Sequence, residues 1–276
     1  MRLNPRYEGP PVLVLEPAVD PSVPLFRQRR RLADTLATFG DAQWAAPTRC
    51  AGWSARDVIS HLVTTNSFWA TSMAAGRAGQ PTRFLPGFDP AVTPAQLVEA
   101  SPVIGTNELL GRFIATNQDM ERALDGLDAD GWRRMAEAPA GHIALSAVAS
   151  HALWDSWIHE RDICLPLGLP VDVEPDEAAV SLRYAVGLGP ALLATEGSTR
   201  SGAFGLSVTH PDATIVVEVG RTVVVRDADS CTGLPTLEGE ATALTEAFSC
   251  RGGLPSVPEE ERWMIDALAV AFDQVS

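Results

Sequence analysis

The sequence predicts an α+β protein, a helical bundle followed by a smaller α/β unit built on an antiparallel sheet. Three observations carry this. Apolar residues recur at helical spacing through most of the chain up to Thr195, and beyond it the period shortens to two in β-branched runs. Hydrophobic residues make up 46% and charged residues 20%, the proportions of a folded chain with an ordinary core. A length of 276 residues accommodates two such units, which we place at residues 22–197 and 198–276, behind an extended arm over residues 1–21.

The arm carries one short apolar run, Val12 to Leu15, between proline clusters. Helical spacing begins after Pro24 with Leu25, Leu32, Leu36 and Phe39, and Gly40 stops it. Ser54-Ala-Arg-Asp57 is a capping box, the side chain of each end satisfying an amide of the other, and it opens a helix that runs through His61 and Trp69 to about Ala75. Gly76 to Pro94 is rich in Gly, Pro and Phe and reads as an ordered crossover loop or lid. Two long helices follow, Thr106 to Leu124 and Ile143 to Ile163, then a proline-rich linker and a fifth helix from Asp176 to Thr195. Phe204 to Thr209, Thr214 to Val219 and Thr222 to Arg226 read as strands, with turns at His210-Pro-Asp and Gly220. Helices at Ala241–Ser249 and Pro258–Val275 close the sequence.

A net charge of −14 repels a phosphate backbone and argues against nucleic acid as a partner. The basic run Arg27 to Arg31 reads as the solvated face of the first helix. No apolar run suggests a membrane span, and the N-terminus lacks the basic start, apolar block and cleavage site of a secretory leader, so a cytoplasmic protein is expected. Cys50, Cys164, Cys231 and Cys250 are widely spaced without a CxxC pair and read as reduced thiols.

One constellation can carry chemistry. His151, Asp155 and His159 recur every four residues on one predicted helix and therefore share a face. His151 and His159 lie about 12 Å apart along the axis, too far to bind one ion together. Two chelating pairs are open, His151 with Asp155 or Asp155 with His159, each with His61 as the third ligand. Either gives two imidazoles and a carboxylate, a set that leaves coordination positions for water or substrate. The alternative is that these histidines are hydrogen-bonded residues of an ordinary bundle. Trp53, Trp154 and Trp157 read as core and pocket wall, and Cys50 as a small buried hydrophobe. Asp162 can orient a ligand imidazole, cap the helix end or pair with Arg161.

PTRCAGWSARDVISHL, Pro47 to Leu62, resembles the helix-entry motif of the DinB-like superfamily, and in particular of the mycothiol-dependent maleylpyruvate isomerase family. DSWIHERDI, Asp155 to Ile163, is similar to that family's second motif. The resemblance implies a DinB-like four-helix bundle holding a divalent ion, zinc above all, through His61, Asp155 and His159 rather than His151. The family usually carries Glu where this chain has Asp155, whose carboxylate reaches less far, so the helix must sit closer or water must bridge. Cys250-Arg251-Gly252 loosely resembles a Gly-Arg stretch from which an arginine of the small unit faces the metal cleft, which makes Arg251 a candidate catalytic residue for gripping a substrate carboxylate.

The expected function is thus a metal-dependent enzyme using a low-molecular-weight thiol, by resemblance mycothiol, for isomerisation or S-transfer on a small electrophilic anion. Its partners would be that substrate and the thiol, and it would work as a monomer or homodimer. The site is expected in a cleft between the two units. A different class of function is a non-catalytic protein enclosing an apolar ligand there; metal-assisted hydrolysis is a third.

Overall fold

The computed structural model describes residues 2–272. In chain order its elements are β1 (Leu13–Glu16), α1 (Ser22–Ala37), α2 (Asp41–Trp44), α3 (Ala55–Arg77), α4 (Thr93–Ala100), α5 (Thr106–Leu124), α6 (Ala129–Arg133), β2 (Met135–Ala138), β3 (Gly141–Ala144), α7 (Leu145–Cys164) and α8 (Pro175–Thr195). There follow β4 (Gly202–Thr209), β5 (Ala213–Val219), β6 (Val223–Asp227), β7 (Thr236–Glu240), α9 (Ala241–Phe248), a 3₁₀ turn at Glu259–Glu261, α10 (Arg262–Ile265) and α11 (Ala267–Ala271). The C-terminal helix expected over 258–275 is broken into these last short pieces, and its residues 273–275 lie outside the described residues.

Helices α1, α3, α5 and α7 form a four-helix bundle. One apolar cluster, including Leu32, Leu36, Val58, Ile59, Leu62 and Phe113, fills one end; a larger one runs from the rest of the bundle into the sheet. A single buried cation ties all four helices: Arg29 of α1 donates to Asn66 Oδ1 (2.6 Å) on α3, Asn117 Oδ1 (3.0 Å) on α5 and the carbonyl of Ala152 (2.7 Å) on α7. The basic run is therefore not a solvated face. Gln28 and Arg29 are buried, and Arg27 and Arg31 pair with Glu177 at the start of α8, Arg31 also with Glu160. The reason is the acidic first turn of α8, which packs alongside α1.

The second sheet has strand order β1-β6-β5-β4-β7. Its centre is antiparallel as expected, with β5 between β4 and β6, but both edges are parallel: β1 against β6 in the register Leu13↔Val223, and β7 against β4. The Val12–Leu15 run of the arm is thus an edge strand of the sheet formed by the other end of the sequence. Helix α8 lies between, packed on α7 on one side and on the sheet, α9 and α11 on the other. It is also long and apolar enough to cross a membrane, which the run-length reading did not register; 78% of its apolar window is buried inside the fold.

A second departure is the hairpin β2–β3, whose β3 includes the residues where α7 was expected to begin. Its Gly141 has φ +118°, and a Cβ there would stand 2.0 Å from the Arg6 carbonyl oxygen, so only glycine lets the arm cross this closely. The neighbouring Glu137 carboxylate, fully buried, accepts from Tyr7 Oη (2.6 Å), Thr82 Oγ1 (2.7 Å) and the amides of Phe84 and Leu85 (2.9 Å each). These bonds fix the loop after α3 at the end of that helix remote from His61, about 24 Å along its axis, so residues 82–85 do not act as a lid over His61.

Candidate metal centre

The capping box forms as expected. Ser54 N donates to Asp57 Oδ2 at 2.9 Å and Asp57 N to Ser54 Oγ at 3.3 Å, which fixes the first turn of α3 and places His61 in its second. The preceding loop folds back on itself, Thr48 N donating to the Trp53 carbonyl at 3.0 Å, and presents Arg49, Cys50 and Trp53 beside α7. Every residue of α7 is buried except Asp155, which keeps partial exposure. The helix is enclosed on all sides, and its carboxylate is where it opens.

Helices α3 and α7 run antiparallel, and three residues of each face one another. His61 and His159 have ring centroids 5.1 Å apart, Thr65 Oγ1 lies 3.4 Å from Asp155 Oδ2, and Trp69 packs on His151 at 4.4 Å. Asp155 Oδ1 stands 3.7 Å from His61 Nε2 and 3.5 Å from His159 Nε2. Those separations are too long for direct hydrogen bonds. They are close to the edge of a tetrahedron drawn around an ion with bonds of ~2.0–2.1 Å, which is about 3.3–3.4 Å. The donor atoms of all three residues lie within 4.8 Å of one another, and two imidazoles with a carboxylate suit zinc or a similar divalent ion. The shorter side chain of Asp155 reaches both imidazoles because α3 and α7 pack directly together.

The structure leaves His151 outside this set: its Nδ1 bonds Tyr184 Oη on α8. Asp162, by contrast, supports His159. It is fully buried, and its Oδ2 accepts from His159 Nδ1 at 3.1 Å, which leaves Nε2 turned to Asp155. Arg49 Nε (3.0 Å), Arg251 Nε (2.9 Å) and Nη2 (3.1 Å), and Cys50 Sγ (3.1 Å) converge on the same carboxylate. Arg251 therefore comes to the centre from the segment after α9, but its fork is engaged by Asp162. Cys50 is no inert hydrophobe. Its sulfur lies 3.6 Å from His159 Nδ1, a contact between residues 109 positions apart that no local pattern signals. Cys50, His159 and Asp162 also bring their donors within 4.8 Å, yet two guanidiniums already neutralise Asp162 and oppose a second cation there.

Charge follows geometry. Burial alone would raise the pKa of Asp155, but His61, His159 and His151 overcome it and hold the carboxyl well below its usual range. Asp162 behaves alike, burial being outweighed by His159 and Arg251. Burial disfavours the charged form of His159, but Asp162, Cys50 and Asp155 lift it to about 10. Burial lowers Arg29 to about 10, so it stays charged at neutral pH, with Asp155 as the opposite charge that it feels.

The tryptophans have separate duties. Trp53 packs on His61 (5.4 Å), Trp154 Nε1 donates to Ser249 Oγ (2.8 Å) and so ties α7 to the end of α9, and Trp157 is core.

Residues 25–164 match the family model described as the mycothiol maleylpyruvate isomerase N-terminal domain. In fold the chain is similar to a crystal structure of the mycothiol-dependent maleylpyruvate isomerase, with a TM-score of 0.56 and 15% identity over 87% of this chain and 92% of that one. A structure of a histidine-to-alanine mutant of that isomerase gives 0.57 and 14% over 87% and 97%. No curated protein matches the chain significantly.

Proposed function

Since the chain belongs to the mycothiol maleylpyruvate isomerase N-terminal domain family, we propose that it is a thiol-dependent enzyme that isomerises a small electrophilic anion, or joins the thiol to it as an S-conjugate, at a divalent ion held by His61, Asp155 and His159. The observation that carries this is the convergence of those three side chains on one point between α3 and α7. A divalent ion bound there would favour a coordinated thiol as its thiolate at neutral pH.

The chain's own residues would do the rest. Asp162 holds the Nδ1 proton of His159 and so keeps Nε2 free to ligate. Arg49 and Arg251 fix Asp162, which makes Arg251 a positioning residue acting through Asp162; any grip on a substrate carboxylate would require it to give up one of those bonds. Arg29, buried and charged, offsets Asp155 and leaves the site's balance favourable to anions. Mycothiol is the thiol expected from the family, and zinc the ion best suited to this donor set.

The test is elemental analysis of metal-replete protein beside thiol-dependent turnover of maleylpyruvate. His61→Ala and His159→Ala should each lose the ion and the turnover, and His151→Ala should keep the ion. Full metal content in both of the first two variants would reject the centre, and equal turnover without added thiol would reject the thiol.

A further inference from the structure

Of the three facing pairs between α3 and α7, the first two enclose the donor set and the third, Trp69 with His151, takes no part in it. That pair lies one helical turn further along, about 6 Å from Asp155. Each of its rings nevertheless carries a nitrogen without a hydrogen-bond partner among the described residues. Tyr184 of α8 is buried, and among the described residues its hydroxyl has one partner, His151 Nδ1. Where the hydroxyl donates to Nδ1, the proton of the neutral imidazole stands on Nε2. Burial keeps that imidazole neutral, depressing its pKa to about 4 against the attraction of Asp155.

Among the described residues His151 Nε2 has no hydrogen-bond partner, and neither has Trp69 Nε1, which is shut off from solvent. A buried donor without an acceptor, as Trp69 Nε1 is, ordinarily awaits water or a ligand, and His151 Nε2 beside it is an unpaired nitrogen not closed off from solvent. Water held by two donors would itself need acceptors, whereas a carboxylate oxygen only accepts. We propose that His151 and Trp69 form a carboxylate-binding subsite, donating through Nε2–H and Nε1–H to an oxygen of the anionic substrate whose reacting end lies at His61, Asp155 and His159. This rests on the reading of that triad as the reaction centre. Neutral donors suit the position: they hold the anion in place without adding a further buried charge beside the ion and Arg29.

Maleate, a small dicarboxylate without a ketone, is the probe. It is titrated into full-length, zinc-supplemented protein by calorimetry and by ¹⁵N NMR of the side-chain N–H groups, with Trp69→Phe assigning the indole. Maleate should move both the Trp69 and His151 resonances. His151→Phe should bind maleate at least about tenfold more weakly, the effect of losing a hydrogen bond to a charged acceptor. His151→Gln, whose amide can take the place of Nε2–H, should recover to within about threefold of wild type. Tyr184→Phe, which frees the tautomer, should also weaken binding and carries the test if His151→Phe does not fold. Wild-type affinity in the phenylalanine variants, or resonances that ignore maleate, would overturn the subsite. Zinc content measured on the same samples separates the two readings: movement of both resonances in a protein that holds no zinc upholds the subsite and rejects the metal centre, and a zinc-bound protein blind to maleate does the reverse.

Discussion

At the scale of single residues the centre depends on side chains that would not touch an ion. Asp162 accepts from His159, Arg49, Arg251 and Cys50, and removing its charge would strand two guanidiniums as well as freeing an imidazole. Asp162→Asn should therefore weaken metal binding by about 10–100-fold, as losses behind a ligating histidine do, and lower stability by about 3 kcal/mol. Chelator competition and urea unfolding would measure the two effects. His151 makes a second prediction. Its pKa is depressed by burial to about 4 against 6.5 for an unperturbed imidazole, Asp155 opposing the shift and His61 adding to it. Between those values the unfolded chain takes up a proton that the native state refuses, so stability should fall as pH drops from 6.5 to 4, by at most about 3 kcal/mol. In metal-free protein the slope should flatten in His151→Phe relative to wild type; equal slopes would show that His151 titrates normally.

At the scale of elements the periodic parts were legible and the paired parts were not. The Ser54 capping box and the apolar spacing of α1, α3, α5, α7 and α8 are local signals, as are the β-branched runs of β4, β5 and β6. The histidine spacing on α7 was equally legible, but the spacing left His151 and His159 as alternatives, and only the resemblance of the motif around His159 favoured it. The hairpin β2–β3 hid because Met-Ala-Glu-Ala and Gly-His-Ile-Ala have little strand preference of their own; its setting comes from the arm crossing at Gly141 and from the bonds that Glu137 gathers. The contacts of Cys50 and Arg251 with Asp162 join residues 112 and 89 positions apart, where no pattern within one element can register them. Gly141→Ala should cost about 2–4 kcal/mol, since it combines a disfavoured φ with a backbone clash. Bound metal should be unchanged, because the hairpin lies at the far end of α7 from His159. A thermal midpoint equal to wild type would show that the arm can cross elsewhere.

At the scale of the whole molecule the boundary drawn at residue 197 cuts through shared packing. Helix α8 belongs to the core on both of its sides, and β1 has its partner strand in β6. Truncation after Gly197 would bare the sheet-facing side of α8 and remove Arg251 from Asp162. The fragment should aggregate or unfold without a cooperative transition, and should bind metal poorly if recovered. A soluble fragment with a sharp transition and full metal content would show that the bundle stands alone.

The parallel pairing of Leu13 with Val223 also sets an order of events during synthesis. The strand that forms one border of the sheet is made first, yet its neighbour emerges about 200 residues later, roughly ten to forty seconds at ordinary elongation rates. Throughout that interval the Val12–Leu15 run has no partner strand, and once α8 has emerged its sheet-facing side is equally bare, so the nascent chain carries uncovered apolar segments before the fold can complete. A ribosome-associated holding chaperone would find its target there, and slowing translation between β5 and β6 would lengthen the exposure without altering a single contact of the finished fold.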